Sequence, residues 1–108
     1  IESDEAVDSC INLLKTEPST VVRIATARAL LRIKARENIA LKELSKALES
    51  PEEWSRLHAA IALDEADEQA RPALASLKKA LTNQPNKYIV RVANKAVNDL
   101  EETNNKVK

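Results

Sequence analysis

Apolar residues recur at three- and four-residue offsets from one end of this chain to the other. Val7, Cys10 and Leu14 form one such trio, Leu41, Leu44 and Leu48 a second, and Leu74, Leu77 and Leu81 a third. These offsets put each trio on one face of a helix, because the α-helix turns once in roughly 3.6 residues. Two-residue alternation, the mark of a half-buried strand, is absent. The pattern predicts six helices, at about 3–16, 19–34, 37–49, 51–65, 69–82 and 87–102.

The helices repeat in pairs. Pro18, Pro51 and Pro85 stand 33 and 34 residues apart, and each is followed three residues later by a large apolar side chain: Val21, Trp54, Tyr88. Further on, Ala29-Leu30, Ala62-Leu63 and Ala96-Val97 keep the register. The chain thus reads as one domain, 1–108, of three antiparallel helix pairs at about 3–35, 37–67 and 68–102. A helix pair has two apolar stripes and cannot bury both alone, so neighbouring pairs must stack into an all-α solenoid. Leu44, Leu57, Ile61, Leu63 and Leu77 are expected in the core. Val7, Ile11 and Leu14 are the candidates for an uncovered apolar face at the first repeat, and Cys10 is expected to be shielded beside Val7 and Leu14.

Helix-start signals add detail. Ser50, Pro51 and Glu53 fit an N-cap, a first and a third helical position, and Glu52 and Glu53 suit the positive end of the helix dipole. Pro72 fits the first turn of helix five, and Asn86 can cap helix six. The end, 101–108, loses its apolar stripe and is expected to fray.

Composition narrows the core chemistry. Trp54 and Tyr88 are the only aromatic residues and glycine is absent, so the core must be built of Ala, Leu, Ile and Val. Without glycine, tight hairpin turns have only Asn or Asp to draw on, which argues against an all-β fold, and a phosphate-binding glycine loop is excluded. The 17 basic and 17 acidic residues cancel, which removes any general pull toward nucleic acid or anionic lipid. Charge is uneven along the chain: residues 1–36 carry +1, 37–67 carry −5 and 68–108 carry +4. Cys10 stands alone and forms no internal disulfide. No apolar run reaches transmembrane length, and the start at Ile1 leads us to expect a piece of a longer or processed protein.

The second helix of each pair carries a family string. Val22-Arg23-Ile24-Ala25-Thr26-Ala27-Arg28-Ala29-Leu30 resembles the HEAT-repeat pattern of Val-Arg, Ala, then Ala-Leu. Ser55-Arg56-Leu57-His58-Ala59-Ala60-Ile61-Ala62-Leu63 follows it with Ser for Val, and Ile89-Val90-Arg91-Val92-Ala93 follows it with Val90 in the Arg slot. Small residues at the Ala slots let neighbouring helices approach closely. The resemblance implies a HEAT-like α-solenoid that scaffolds or binds protein.

A narrower likeness runs through Glu53-Trp54-Ser55-Arg56-Leu57-His58, Ala70-Arg71-Pro72-Ala73-Leu74 and Asn86-Lys87-Tyr88-Ile89. It resembles the HEAT-like C-terminal extension of some bacterial secreted sulfatases. That family carries a formylglycine made in a Cys-x-Pro/Ala-x-Arg motif, whereas Cys10 is followed here by Ile11-Asn12-Leu13-Leu14. Any sulfatase activity would belong to an upstream domain, and the protein would then be exported. The glycine usual after the second helix of a pair is replaced by Ala66-Asp67.

Candidate chemistry is sparse. His58 is the one histidine, and no Cys, Asp or Glu stands three or four residues from it to complete a metal or base site. Arg23 and Arg56 occupy equivalent positions and are expected to pair with acids, with a basic ladder for an anionic partner as the alternative. Arg28, Arg32, Lys34 and Arg36 cluster, as do Lys78, Lys79, Lys87, Arg91 and Lys95, but no aromatics interleave for base stacking. Trp54 is expected to pack between repeats, with an exposed interface anchor as the alternative. We therefore expect no catalytic, cofactor-binding or metal-binding residues. The candidate interaction surface is Trp54, Arg23, Arg56, His58, Tyr88 and Arg91, and the expected partner is protein, an upstream catalytic domain included. Neither nucleic acid nor membrane is expected as a partner, and a free-standing scaffold or a nucleic-acid binder are the competing readings.

Overall fold

The structure is a computed structural model and describes residues 4–82 and 84–107. It holds six α-helices: α1 (Asp4–Thr16), α2 (Thr20–Arg32), α3 (Glu37–Ala47), α4 (Glu53–Glu65), α5 (Leu74–Ala80) and α6 (Lys87–Val107). A 3-10 helix, Asp67–Ala73, precedes α5, and no strand occurs among the described residues. The second helices α2, α4 and α6 lie side by side. α1 packs on α2, α3 lies against α2 and α4, α5 packs on α6, and the 3-10 helix touches α3, α4 and α6. The result is a slab, 38 × 35 × 16 Å between Cα extremes, about two helices thick.

Leucine and alanine fill the space between the layers. Ile24, Leu30, Leu44, Leu63, Leu77 and Ile89 are fully buried, as are Ala27, Ala40, Ala59, Ala60, Ala70 and Ala93. Expected core residues Leu44, Leu63 and Leu77 are therefore in place, but Leu57 and Ile61 are only half-buried. The inward arc of α4 is Ser55, Ala59, Ala60, Ala62 and Leu63, which leaves Leu57 and Ile61 on its flank. Val7 and Leu14, expected to be uncovered, are buried on α2, while Ile11 and Cys10 are half-buried. A single helix pair closes that stripe by itself. The apolar side chains that α1 leaves out are led by Leu13.

Several boundaries differ from expectation, each for a local reason. α4 starts at Glu53 rather than Pro51, with Glu52 extended as its N-cap residue. The Ser50 hydroxyl accepts from the Glu52 N–H, and the Arg56 guanidinium donates to the Ser50 and Pro51 carbonyls, which holds this stretch as a turn. Helix five divides at Pro72, whose missing N–H and ring disfavour a continuous α ladder. α6 is capped as expected, since the Asn86 side-chain oxygen accepts from the N–H groups of Tyr88 and Ile89. Its backbone remains helical to Val107 instead of ending near 102, because nothing in that stretch breaks a helix.

The turns after α2 and α4 are sharp without glycine. Lys34 and Asp67, in equivalent positions, take the left-handed conformation at φ 57° and 51°. After α2 the Lys34 and Ala35 N–H groups donate back to the carbonyls of Leu31 and Leu30, the pairing of a Schellman C-cap. Arg36 follows with φ 51° and leads into α3.

Candidate functional site

The six residues singled out from sequence separate into two groups. Arg23 and Arg56 turn into the fold. The Arg23 guanidinium donates to the Glu17 carbonyl, to the Thr20 hydroxyl at 3.0 Å and to Glu43 on α3 at 3.2 Å. Both members of the Arg23–Glu43 pair are largely shielded. Arg56 repeats the loop contact one register on, donating to the carbonyls of Ser50 at 2.8 Å and Pro51 at 3.1 Å. Its Nε, however, is buried and unpartnered. Ser76 stands 33 residues after Glu43, so Arg56 lacks the carboxylate that Glu43 supplies to Arg23 from the following repeat. The third repeat drops the cation as well, with Val90 in the Arg slot. The expected acid partner is thus present for Arg23 and absent for Arg56, and neither Arg belongs to an exposed ladder.

Trp54, His58, Tyr88 and Arg91 turn outward. Trp54 is 64% exposed and Tyr88 66%, which overturns the expectation that Trp54 packs between repeats. The His58 ring meets the Trp54 ring edge-on at 5.1 Å between centroids, and the Arg91 guanidinium lies 5.9 Å above the Tyr88 ring. Val21 holds the equivalent place on α2 and is also exposed. Val21, Trp54 and Tyr88 therefore start three adjacent helices in a row. On α4 the row continues along the helix, because Leu57, His58 and Ile61 follow Trp54 at offsets of three, four and seven and are half-buried. Sequence reading assigned Leu57 and Ile61 to the core. The signal that could have placed them was a second apolar stripe on α4, apart from its alanine stripe.

The basic clusters are partly neutralised by ion pairs, most of them between helices. Arg28 on α2 holds Glu65 on α4 at 2.6 Å, with Arg32 at 3.6 Å. Lys78 meets Glu101 at 2.7 Å and Lys79 meets Glu49 at 3.0 Å. Lys95 on α6 bridges Asp99 at 3.1 Å and Asp64 on α4 at 3.3 Å, and these hydrogen bonds raise its pKa. The Arg71 side chain hydrogen-bonded to Glu68 holds that carboxyl below its usual range. Lys34, Arg36 and Lys87 make no ion pair with a described residue, and among the described residues the Arg91 side chain meets the tyrosine ring and no carboxylate.

A shallow groove of about 410 Å³ opens where α2 begins and α3 ends, lined by Arg23, Glu43, Lys46 and Glu49 among others. Its charges balance. Its two hydroxyls are engaged, Thr20 by Arg23 and Ser50 by the Glu52 N–H, so no nucleophile is paired with a base there. Among the described residues no three His, Cys, Asp or Glu converge as metal ligands, and no helix is long and apolar enough to cross a membrane.

The family model described as HEAT repeats matches residues 5–98. No curated protein and no solved structure matches the chain significantly.

Proposed function

Since this chain belongs to the HEAT-repeat family, whose members generally serve as scaffolds and protein-interaction modules, we propose that it is a non-catalytic array that binds protein through the outward faces of α4 and α6. The observation that carries this reading is the exposure of both aromatic side chains of the chain, at equivalent places on adjacent helices. The exposed part of a Trp or Tyr side chain adds little to the fold, whereas such side chains anchor interfaces when a partner desolvates them. Among the described residues the other interactions of the cations are structural: Arg23 and Arg56 bind loops, and Arg28, Arg32, Arg71, Lys78, Lys79 and Lys95 bind acids.

A photo-crosslinker placed at 54 or 88, in extracts of the cells that make the protein, tests the reading. Discrete products should form from these positions and not from exposed Lys46 on α3. The same pattern from all three positions would reject the surface. The purified chain should turn over no sulfate ester, phosphate ester or peptide bond, with or without metal. Turnover lost on His58→Ala would sink the scaffold reading.

Within the same reading we place the array as the C-terminal appendage of a larger bacterial enzyme of the sulfatase kind, working beside an upstream catalytic domain and exported with it. The support is the likeness carried by Glu53–His58, Ala70–Leu74 and Asn86–Ile89. A reading frame that encodes a Cys-x-Pro/Ala-x-Arg motif before Ile1 would bear this out, and a frame without one would reject it in favour of a free-standing scaffold.

A further inference from the structure

The stripe on α4 and the charge beside it narrow the kind of partner. Trp54, Leu57, His58 and Ile61 span about 10 Å along one helix face, at roughly 1.5 Å per residue. A solvent-facing helix surface is ordinarily polar, so an apolar stripe there is a surface without its cover. On the α2 side Val21 and Ala25 extend it, and the cations of α2 beyond them are already held by Glu65. On the α6 side the charge is unspent. Lys87 and Arg91 flank Tyr88 and meet no carboxylate among the described residues, while Lys95, one turn on, is bound by Asp64 and Asp99. The free positive charge therefore lies on α6, around and beyond Tyr88 as seen from the stripe.

Resting on the interaction-surface reading above, we propose that α4 and α6 dock an acidic amphipathic helix. Its apolar residues, spaced i, i+3, i+4 and i+7, cover Trp54, Leu57 and Ile61, and carboxylates along one side meet Lys87 and Arg91. A helix fits better than an extended peptide. Helical flanks offer no free backbone donors or acceptors to pair with an added strand, whereas a helix arrives with its own backbone bonds made.

The test uses the full chain and a phage-displayed library of 18-residue peptides on a helix-forming framework. Peptides enriched on the parent protein should carry the apolar spacing with Asp or Glu on one flank. Trp54→Ala should weaken them at least tenfold. The double variant Lys87→Glu/Arg91→Glu should shift selection from Asp and Glu to Lys and Arg. All three side chains are exposed, so an unchanged melting temperature confirms that the variants fold. Trp54-dependent peptides with no acidic flank, or a selection indifferent to the charge reversal, would overturn the acidic helix and leave the interaction surface standing. Enriched peptides that ignore Trp54→Ala, or no enrichment at all, would overturn both.

Discussion

The first and last of the three second helices expose opposite kinds of surface. Val22 on α2, Ser55 on α4 and Ile89 on α6 share one register position, yet Val22 is 40% exposed while Ser55 and Ile89 are fully buried. Ala29, Ala62 and Ala96 share another, and again only the first is exposed. In the second and third repeats a preceding helix covers these places. At the far side of the array the outward residues of α6 include Lys87, Arg91, Asn94 and Asn98, all exposed and all polar. One flank of the slab is thus apolar and open, and the other is finished in polar side chains, as a terminal repeat should be. Periodic sequence does not give periodic burial. The same slot is core or surface according to what lies beside it.

The sharpest way to break this contrast is to remove apolar volume at both places. Leu63→Ala, deep in the middle repeat, should cost about 2–5 kcal/mol in denaturant titration. Val22→Ala should stay within about 0.5 kcal/mol, as surface changes do. A comparable loss at Val22 would mean that the α2 flank is covered in solution. Adding volume asks the same question in reverse. Ala62→Leu and Ala96→Leu should each cost about 1–3 kcal/mol through overpacking, with Ala29→Leu close to neutral.

The turns are a control that the contrast should not touch. Lys34 and Asp67 hold left-handed backbone after α2 and α4. Such a conformation costs an ordinary residue about 1–2 kcal/mol, against about 0.5–1 kcal/mol of extra chain entropy lost by glycine. Lys34→Gly should therefore raise stability by roughly 0.5–1 kcal/mol, and Asp67→Gly by less, because Asp tolerates this region better. Equal or reversed gains by thermal melting would contradict that order.

The smallest effect concerns the link between α4 and α6. Hydrogen bonds to Asp99 and Asp64 raise the Lys95 pKa above 10.5, so the ammonium is bound more tightly in the folded state. That stabilisation is complete below pH 10.5 and is lost as pH rises through the raised value. Lys95→Met should differ from the parent at neutral pH, and the gap should close in alkali and shrink in high salt. A gap that persists above that range would exclude the ion pairs as its source.

What was legible in the sequence follows from how far each cause reaches. The offsets of Leu44, Leu48 and Leu77, the alanine slots and the Asn86 cap are local, and they were read directly. The split of helix five traces to one residue, Pro72, whose α-breaking character outweighed its fit to a first turn. Trp54, Leu57 and Ile61 were harder, because α4 has two apolar stripes and only packing against α2, α3 and α6 decides which one is core. Val7 and Leu14 were hidden by α2 for the same reason. Arg56 is the clearest limit. Its loop contacts lie within six residues, but its idle Nε reflects Ser76 where the preceding repeat has Glu43, a comparison between repeats that no single window contains.

That α1 packs chiefly on α2, while α4 touches α2, α3, α6 and the 3-10 helix, also sets an order in time. A stack whose members hold only their neighbours comes apart from the member with fewest of them. Amide protons of α1 should exchange first, in brief openings that leave α3 and α4 closed, and each such opening bares Val7, Cys10 and Leu14 together. The lone thiol of a half-buried helix then becomes a clock. Its rate of alkylation under native conditions counts how often the first helix lifts from the array.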